Sequence, residues 1–384
     1  MLAIPLRKSR ETLASFVTRR FRTTLSRCVT FENSGRPTEV LRITEVPLPP
    51  LTDTTLHLRF LAAPVNPADI NQVEGVYPIS ARSLPDVDGF IGGNEGVAEV
   101  VAVGERAAQQ LNVQPGDWVL PAVPAFGTWR TYAAAEIHEV QKIPKEGLTA
   151  LQAATLAVNP CTAYRMLKDF VQLQPGDTVV QNGANSAVGQ AVIQIARAWG
   201  IRTLNVIRDR PNLEELSRQL RDMGADWVIR DTDLRSAETR ALFASGNARK
   251  PFLALNCVGG KAATDMLRLL GNGGSFVTYG AMSRQPLTLP ASAFIFKDIS
   301  AHGYWMTRWM EDKREGRREE RAQMLNELIG MLRAGTLWPP IAEVTRWGHE
   351  LQLEASLDSM RSIVTAAGAG LAGKKQVMLM HDVE

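Results

Sequence analysis

From about Val29 to Pro144 the apolar residues come in short runs separated by Gly and Pro. Examples are Leu56-His57-Leu58-Arg59-Phe60-Leu61, the segment Gly96 to Val103, and Asp117-Trp118-Val119-Leu120. Runs of that length with turn residues between them predict short strands, and the stretch reads as a β-rich, partly barrel-like unit. Pro115-Gly116-Asp117 is a turn placed before a strand.

Beyond Leu148 the period changes. Apolar positions recur at helical spacing from Leu151 to Leu167, and a second Pro175-Gly176-Asp177 turn follows. Strands are then predicted at Thr178 to Gln181, Thr203 to Ile207, Trp227 to Ile229, Leu253 to Cys257 and Ser275 to Tyr279. Helices are predicted at Val188 to Trp199, Leu213 to Met223 and Ala262 to Leu270. Strands alternating with helices build βαβ units and a parallel, doubly wound α/β sheet. A last strand, Gln376 to Met380, is expected to return to the first unit, and no internal repeat is visible. The run Glu311 to Arg321, dense in both charge signs, predicts a solvated helix face with i,i+4 pairs.

The N-terminus has a different composition. Arg7, Lys8, Arg10, Arg19, Arg20, Arg22 and Arg27 are interleaved with Ser9, Ser15 and Ser26, and Glu11 is the only acid. No continuous apolar stretch follows the charges, so the pattern reads as an organellar transit peptide and not a secretory signal. The expected division is a transit peptide over 1–28, a β-rich catalytic domain over 29–150, a nucleotide-binding domain over 151–310 and a C-terminal return over 311–384. The chain is 45% hydrophobic and 22% charged with a net charge of +3, and it has no apolar run of bilayer length. Neither a nucleic-acid partner nor a membrane span is expected.

The turn Asn182-Gly183-Ala184-Asn185-Ser186-Ala187-Val188-Gly189 joins a predicted strand to a predicted helix. Small residues there let backbone approach a pyrophosphate, whose charge is met by free N–H groups at the helix N-terminus. The next strand ends in Arg208-Asp209-Arg210, where such folds meet the adenosine ribose. An acid there suits NAD and an Arg suits the 2′-phosphate of NADP. Asp209 keeps NAD open, while the two flanking guanidinium groups favour NADPH. Thr278-Tyr279-Gly280-Ala281-Met282 marks another strand end facing the same crevice.

A zinc enzyme needs thiolate and imidazole ligands. Cys28, Cys161 and Cys257 are far apart in sequence, His57 and His138 sit in no cluster, and no metal site is expected. Asn94, in Gly92-Gly93-Asn94-Glu95-Gly96, stands where a zinc enzyme of this plan would place a His. A hydride acceptor must then be polarised by hydrogen bonds and completed by a proton donor. Tyr77, in the loop after Asn66-Pro67-Ala68-Asp69-Ile70-Asn71, is one of five tyrosines. The residues alone leave it open between packing and catalysis.

Taken together, several segments resemble the mitochondrial trans-2-enoyl-CoA/acyl-carrier-protein reductases, a zinc-free, quinone-oxidoreductase-like branch of the medium-chain dehydrogenase/reductase superfamily. They are Asn66 to Asn71, Gly92 to Val97, Gly127-Thr128-Trp129-Arg130-Thr131, Val158 to Leu167, Val206 to Arg210 and Leu255 to Lys261. The run Asn159-Pro160-Cys161-Thr162-Ala163-Tyr164 is the most specific, and the likeness extends in order from about Val29 to the C-terminus. It implies a GroES-like catalytic domain beside a Rossmann sheet. It also implies NADPH-dependent reduction of enoyl-CoA or enoyl-acyl-carrier-protein in the mitochondrial matrix, acyl carrier protein as partner, and a homodimer. Tyr77 would be the catalytic tyrosine. Asn159, Asn185, Ser186, Ala187, Val188, Arg208, Asp209, Arg210, Tyr279, Gly280, Ala281, Met282, Tyr304, Trp305, Met306 and Lys375 would contact the cofactor. Two departures stand out: Ala187 where the family usually has Gly, and Tyr304 where Phe is common. An NADPH:quinone oxidoreductase and a non-catalytic NADPH-binding protein remain alternatives.

Overall fold

The computed structural model describes residues 24–83, 88–246, 248–312, 314–348, 350–368 and 374–381. Most of the expected leader lies outside them. The first described strand is Leu25–Phe31, so Leu25 to Cys28 of the expected leader lie in a sheet. The reason is Arg27, whose guanidinium pairs with Glu45 at 3.0 Å and donates to the carbonyls of Gly348, at 2.7 Å, and Leu351. A residue that reads as leader charge from composition ties the first strand to the C-terminal region. Cys28 beside it is fully buried.

Three sheets organise the described residues. Leu25–Phe31 pairs with Arg42–Pro47 and Phe90–Ile91 in a small antiparallel sheet. A seven-stranded sheet runs in the order Ala342–Arg346, Lys375–Leu379, Thr55–Pro64, Val97–Val103, Trp118–Pro121 and Val140–Ile143, with Tyr132–Glu136 also on Thr55–Pro64. The expected return of the last strand is present, with Val377 opposite Pro64. The third sheet is wholly parallel: Trp227–Arg230, Arg202–Ile207, Thr178–Asn182, Leu253–Asn256, Ser275–Thr278 and Ser300–Gly303. Numbered in chain order its strands lie 3-2-1-4-5-6, the doubly wound arrangement whose ligand crevice opens at the carboxyl ends of the strands.

Two helical expectations need correction. The helix predicted over 151–167 is two helices, Ala150–Ala154 and Asn159–Asp169. Pro160 has no N–H to continue the ladder from the first helix, and the amide of Val158 is diverted to Glu95 Oε1 at 2.8 Å. The charged run ending at Arg321 is exposed at Arg314, Glu315, Arg318 and Glu319, as expected, but two of its arginines are not solvated. It opens the helix Arg317–Arg333, in which Arg317 and Arg321 are buried. Arg317 stacks on Trp309 with 4.1 Å to the ring centroid, and Arg321 donates to Pro121 O at 2.8 Å. Arginine can bury its stem and stack its guanidinium plane, so charge density alone does not separate these two arginines from the exposed charges beside them.

One hydrophobic cluster crosses the whole molecule. It runs from Leu61, Val97 and Trp118 through Cys161 and Met166 to Val179, Leu255 and Val277. The helix Asn159–Asp169 lies between the two large sheets, and its first residue reaches the polar junction described next.

Candidate active site

The expected cofactor residues converge through topology. Asn185 to Val188 follow the strand Thr178–Asn182, Arg208 to Arg210 follow Arg202–Ile207, Tyr279 to Met282 follow Ser275–Thr278, and Tyr304 to Met306 follow Ser300–Gly303. All lie at carboxyl ends of strands of the one parallel sheet. Ser186 caps the helix Ala187–Ala198, its Oγ accepting from the Gly189 amide at 3.1 Å. The first amides of a helix have no partner within it, so Ala187 and Val188 present N–H groups to the crevice. Gly189 is dictated by packing, since a Cβ there would lie 2.5 Å from Ala184 O.

Arg208 and Asp209 are exposed, whereas Arg210 is half-buried and its Nε has no hydrogen-bond partner. An enclosed guanidinium N–H without an acceptor is costly, and a phosphate oxygen would satisfy it. The donor set at this turn therefore fits a phosphorylated ribose. Tyr304 donates from its hydroxyl to Met306 Sδ at 3.1 Å, and burial pushes its phenol upward. Tyr279 carries a buried hydroxyl below the same strand ends.

Tyr77 follows the helix Pro67–Val73 and is half-buried. Trp305 Nε1 donates to its hydroxyl at 2.8 Å, and the two rings meet edge to face with centroids 6.0 Å apart. An indole N–H can only donate, so the Tyr77 oxygen accepts and its own proton remains available. Burial raises the Tyr77 phenol, with hydrogen bonds to Trp305 and Thr307 pulling the other way. The expected catalytic and cofactor residues are thus joined by a direct bond across the two units.

Asn159 and Lys375 meet at Asn66. Asn66 Oδ1 accepts from Asn159 Nδ2 at 3.2 Å and from Lys375 Nζ, while its Nδ2 donates to Glu95 Oε2 at 2.8 Å. Burial lifts the Glu95 carboxyl to about 7 against the opposing pull of Lys375, Asn66 and the Val158 amide. Burial lowers Lys375, with Glu95 and Asp69 opposing, and raises Asp69, held back by Asn94 and Asn66. Reasoning from sequence missed Asn66, Asp69 and Glu95 as site residues. One signal was available: Asn66 and Asp69 form a capping box around Pro67, a spacing that marks a helix start.

Asn94, in the position of a zinc-ligand His, has its amide committed to protein partners. It donates to Asp69 Oδ1 at 2.6 Å and Gln72 Oε1 at 2.5 Å, and accepts from the Ala125 amide at 2.8 Å. Burial raises the thiols of Cys28, Cys161 and Cys257, the last two to about 12 and about 11. Among the described residues no three His, Cys, Asp or Glu side chains form a group able to hold a metal ion.

Comparison with known proteins agrees with this layout. A model of the alcohol dehydrogenase GroES-like domain matches residues 52–145, and one of the zinc-binding dehydrogenase family matches 187–327. The mitochondrial enoyl-[acyl-carrier-protein] reductase of Xenopus tropicalis is 46% identical over 84% of this chain and 89% of its own. The chain belongs to the mitochondrial enoyl-[acyl-carrier-protein] reductase family. Two solved structures share the architecture of this family member. The Etr1p/NADP/crotonyl-CoA complex superposes with a TM-score of 0.83 at 33% identity, covering 93% of this chain and 100% of its own. The Etr1p/Etr2p heterodimer of Candida tropicalis, a mitochondrial 2-enoyl thioester reductase, gives 0.82 at 32% over the same shares. The fold is that of a medium-chain dehydrogenase/reductase, and the helix between its sheets places Asn159 at the junction.

Proposed function

We propose that this enzyme reduces trans-2-enoyl thioesters to acyl thioesters with NADPH in mitochondrial fatty acid synthesis, and that Tyr77 is its proton donor. NADPH, when bound, supplies the hydride that the β-carbon of the substrate accepts. The protein's part is to hold, orient and protonate. Ala187 and Val188 would offer amides to the pyrophosphate, and Arg208 and Arg210 would take the 2′-phosphate. Asn159 and Lys375, which meet at Asn66, would hold the nicotinamide end.

The observation that carries the reading is the bond from Trp305 to Tyr77. It occupies the phenol oxygen as an acceptor and leaves the Tyr77 proton free to donate to the α-carbon, directly or through an ordered water. A phenol raised by burial stays protonated until a strong base forms, which suits a donor to a developing enolate. Acyl carrier protein is proposed as the physiological carrier, with coenzyme A thioesters as the soluble equivalent.

We also propose a homodimer. The edge strand Ser300–Gly303 is exposed along its length, and the helix before it, Ala291–Lys297, shows Ile295 and Phe296 at 71% and 78% exposure. An open strand edge beside exposed large apolar side chains is a surface that a second copy would cover.

The test is NADPH oxidation by the purified protein with crotonyl-CoA and longer enoyl-CoA substrates, with a quinone and NADH as controls. Tyr77→Phe should lower kcat by about two orders of magnitude or more while NADPH affinity stays near wild type. Unchanged turnover in that variant would remove Tyr77 from the mechanism.

A further inference from the structure

The segment carrying Tyr77 has little apolar anchorage of its own. Gly75, Val76, Pro78 and Ser80 are exposed, Val76 by 69%. Its near end is set by backbone bonds, Gly75 N to Gln72 O at 3.1 Å and Val76 N to Asn71 O at 2.9 Å. Its far end is set by a side chain: Gln72 Nε2 donates to the carbonyl of Ile79, two residues past Tyr77, at 3.1 Å. The Gln72 side chain, from the last turn of the helix Pro67–Val73, therefore brackets the Tyr77 backbone on both sides together with its own carbonyl.

Gln72 is buried, at 5% exposure, and its amide is oriented by Asn94. With Asn94 Nδ2 bound to Gln72 Oε1, the Gln72 NH2 group must face Ile79. Asn94 is itself locked by the Ala125 amide and by Asp69, leaving its carboxamide one orientation. The result is a chain of bonds from the loop at Ala125 through Asn94 and Gln72 to the backbone beside the phenol. The primary amide at position 72 accepts at one end and donates at the other, which neither a carboxylate nor an aliphatic chain can do.

We infer that Gln72, oriented by Asn94, is a positioning residue for Tyr77: it holds the loop so that the phenol meets Trp305 and the reacting carbon together. This rests on the reading of Tyr77 as the proton donor. Gln72 touches neither substrate nor cofactor in this scheme and acts only through the loop.

The test is a double-mutant cycle in the full-length enzyme. Gln72→Met keeps the side-chain length and removes both bonds, so kcat for crotonyl-CoA should fall about 10- to 100-fold with NADPH affinity little changed. Made in the Tyr77→Phe background, the same substitution should cause no further loss, because the group it positions is gone. Gln72→Asn keeps the amide but is one methylene too short to reach both partners, and it provides the same cycle should Gln72→Met fail to fold. Equal fold-losses in the two backgrounds would show a general structural role and overturn the inference. If Tyr77→Phe alone leaves turnover intact, the catalytic reading of Tyr77 fails first and the inference falls with it. If Tyr77→Phe is impaired but Gln72→Met is not, only the inference fails.

Discussion

The hydroxyl of Tyr77 accepts a 2.8 Å hydrogen bond from the indole of Trp305, a residue 228 positions further along the chain. Tyr77 follows a helix of the β-rich unit, and Trp305 follows the last strand of the parallel sheet. This single bond ties Tyr77, the proposed proton donor, to the carboxyl end of that strand.

Trp305→Phe keeps an aromatic ring beside Tyr77 and removes the N–H. Losing a hydrogen bond of ordinary strength predicts a drop in kcat of about 5- to 10-fold. Steady-state kinetics with saturating NADPH measures it. Turnover equal to wild type would mean that the phenol needs no partner.

Arg210→Ala removes the guanidinium whose Nε lacks an acceptor in the protein. The KM for NADPH should rise about 10- to 100-fold, the worth of one or two charge-assisted bonds to a phosphate, while weak activity with NADH changes little. Parallel losses with both nucleotides would place the 2′-phosphate elsewhere.

Glu95 keeps its proton to about pH 7 in the folded protein, against an ordinary value of 4.5. Between those values the native state binds more protons than the unfolded chain. The contribution of this group to stability is therefore complete below pH 4.5 and is lost as the pH rises through about 7. Asp69 and Lys375 face the same junction, so the measurement is a difference. The stability of wild type minus that of Glu95→Gln, from urea unfolding, should decline across this window. A flat difference would show that Glu95 is ionised throughout.

Lys375→Met deprives Asp69 and Glu95 of the cation that opposes their desolvation. Breaking such a buried arrangement costs about 3 kcal/mol. The penalty should be smaller at acidic pH, where the Glu95 carboxyl holds its proton and one less charge is left unopposed. Thermal unfolding at pH 8 and pH 5.5, values chosen roughly one unit or more either side of the Glu95 midpoint, would reveal the trend. Equal losses at both would rule out the shared charge balance.

Phe296→Asp, alone or with Ile295→Asp, puts charge on the exposed apolar helix beside the sheet edge. Light scattering should report half the wild-type molar mass if this face joins two copies. An unchanged mass would move the dimer contact to another surface.

The alternation of strands and helices beyond Leu148 was legible in the primary structure because each element there carries its own period and turn residues. So were the phosphate turn, the Arg208–Arg210 triplet and Tyr77 as a candidate, each written in a short contiguous segment. Hidden from such reading were relations between distant residues. Asn66, Glu95 and Lys375 meet only because Lys375–Leu379 pairs with Thr55–Pro64 and sets the Val65 amide on Gln376 O. Arg317 and Arg321 look solvated in sequence and are buried because Trp309, Asp312 and Gln141 come to them from elsewhere. Local sequence thus determined the elements and the kinds of chemistry available. The tertiary structure alone decided which side chains share a proton, a charge or a hydrogen bond, since those energies depend on separation in space and burial.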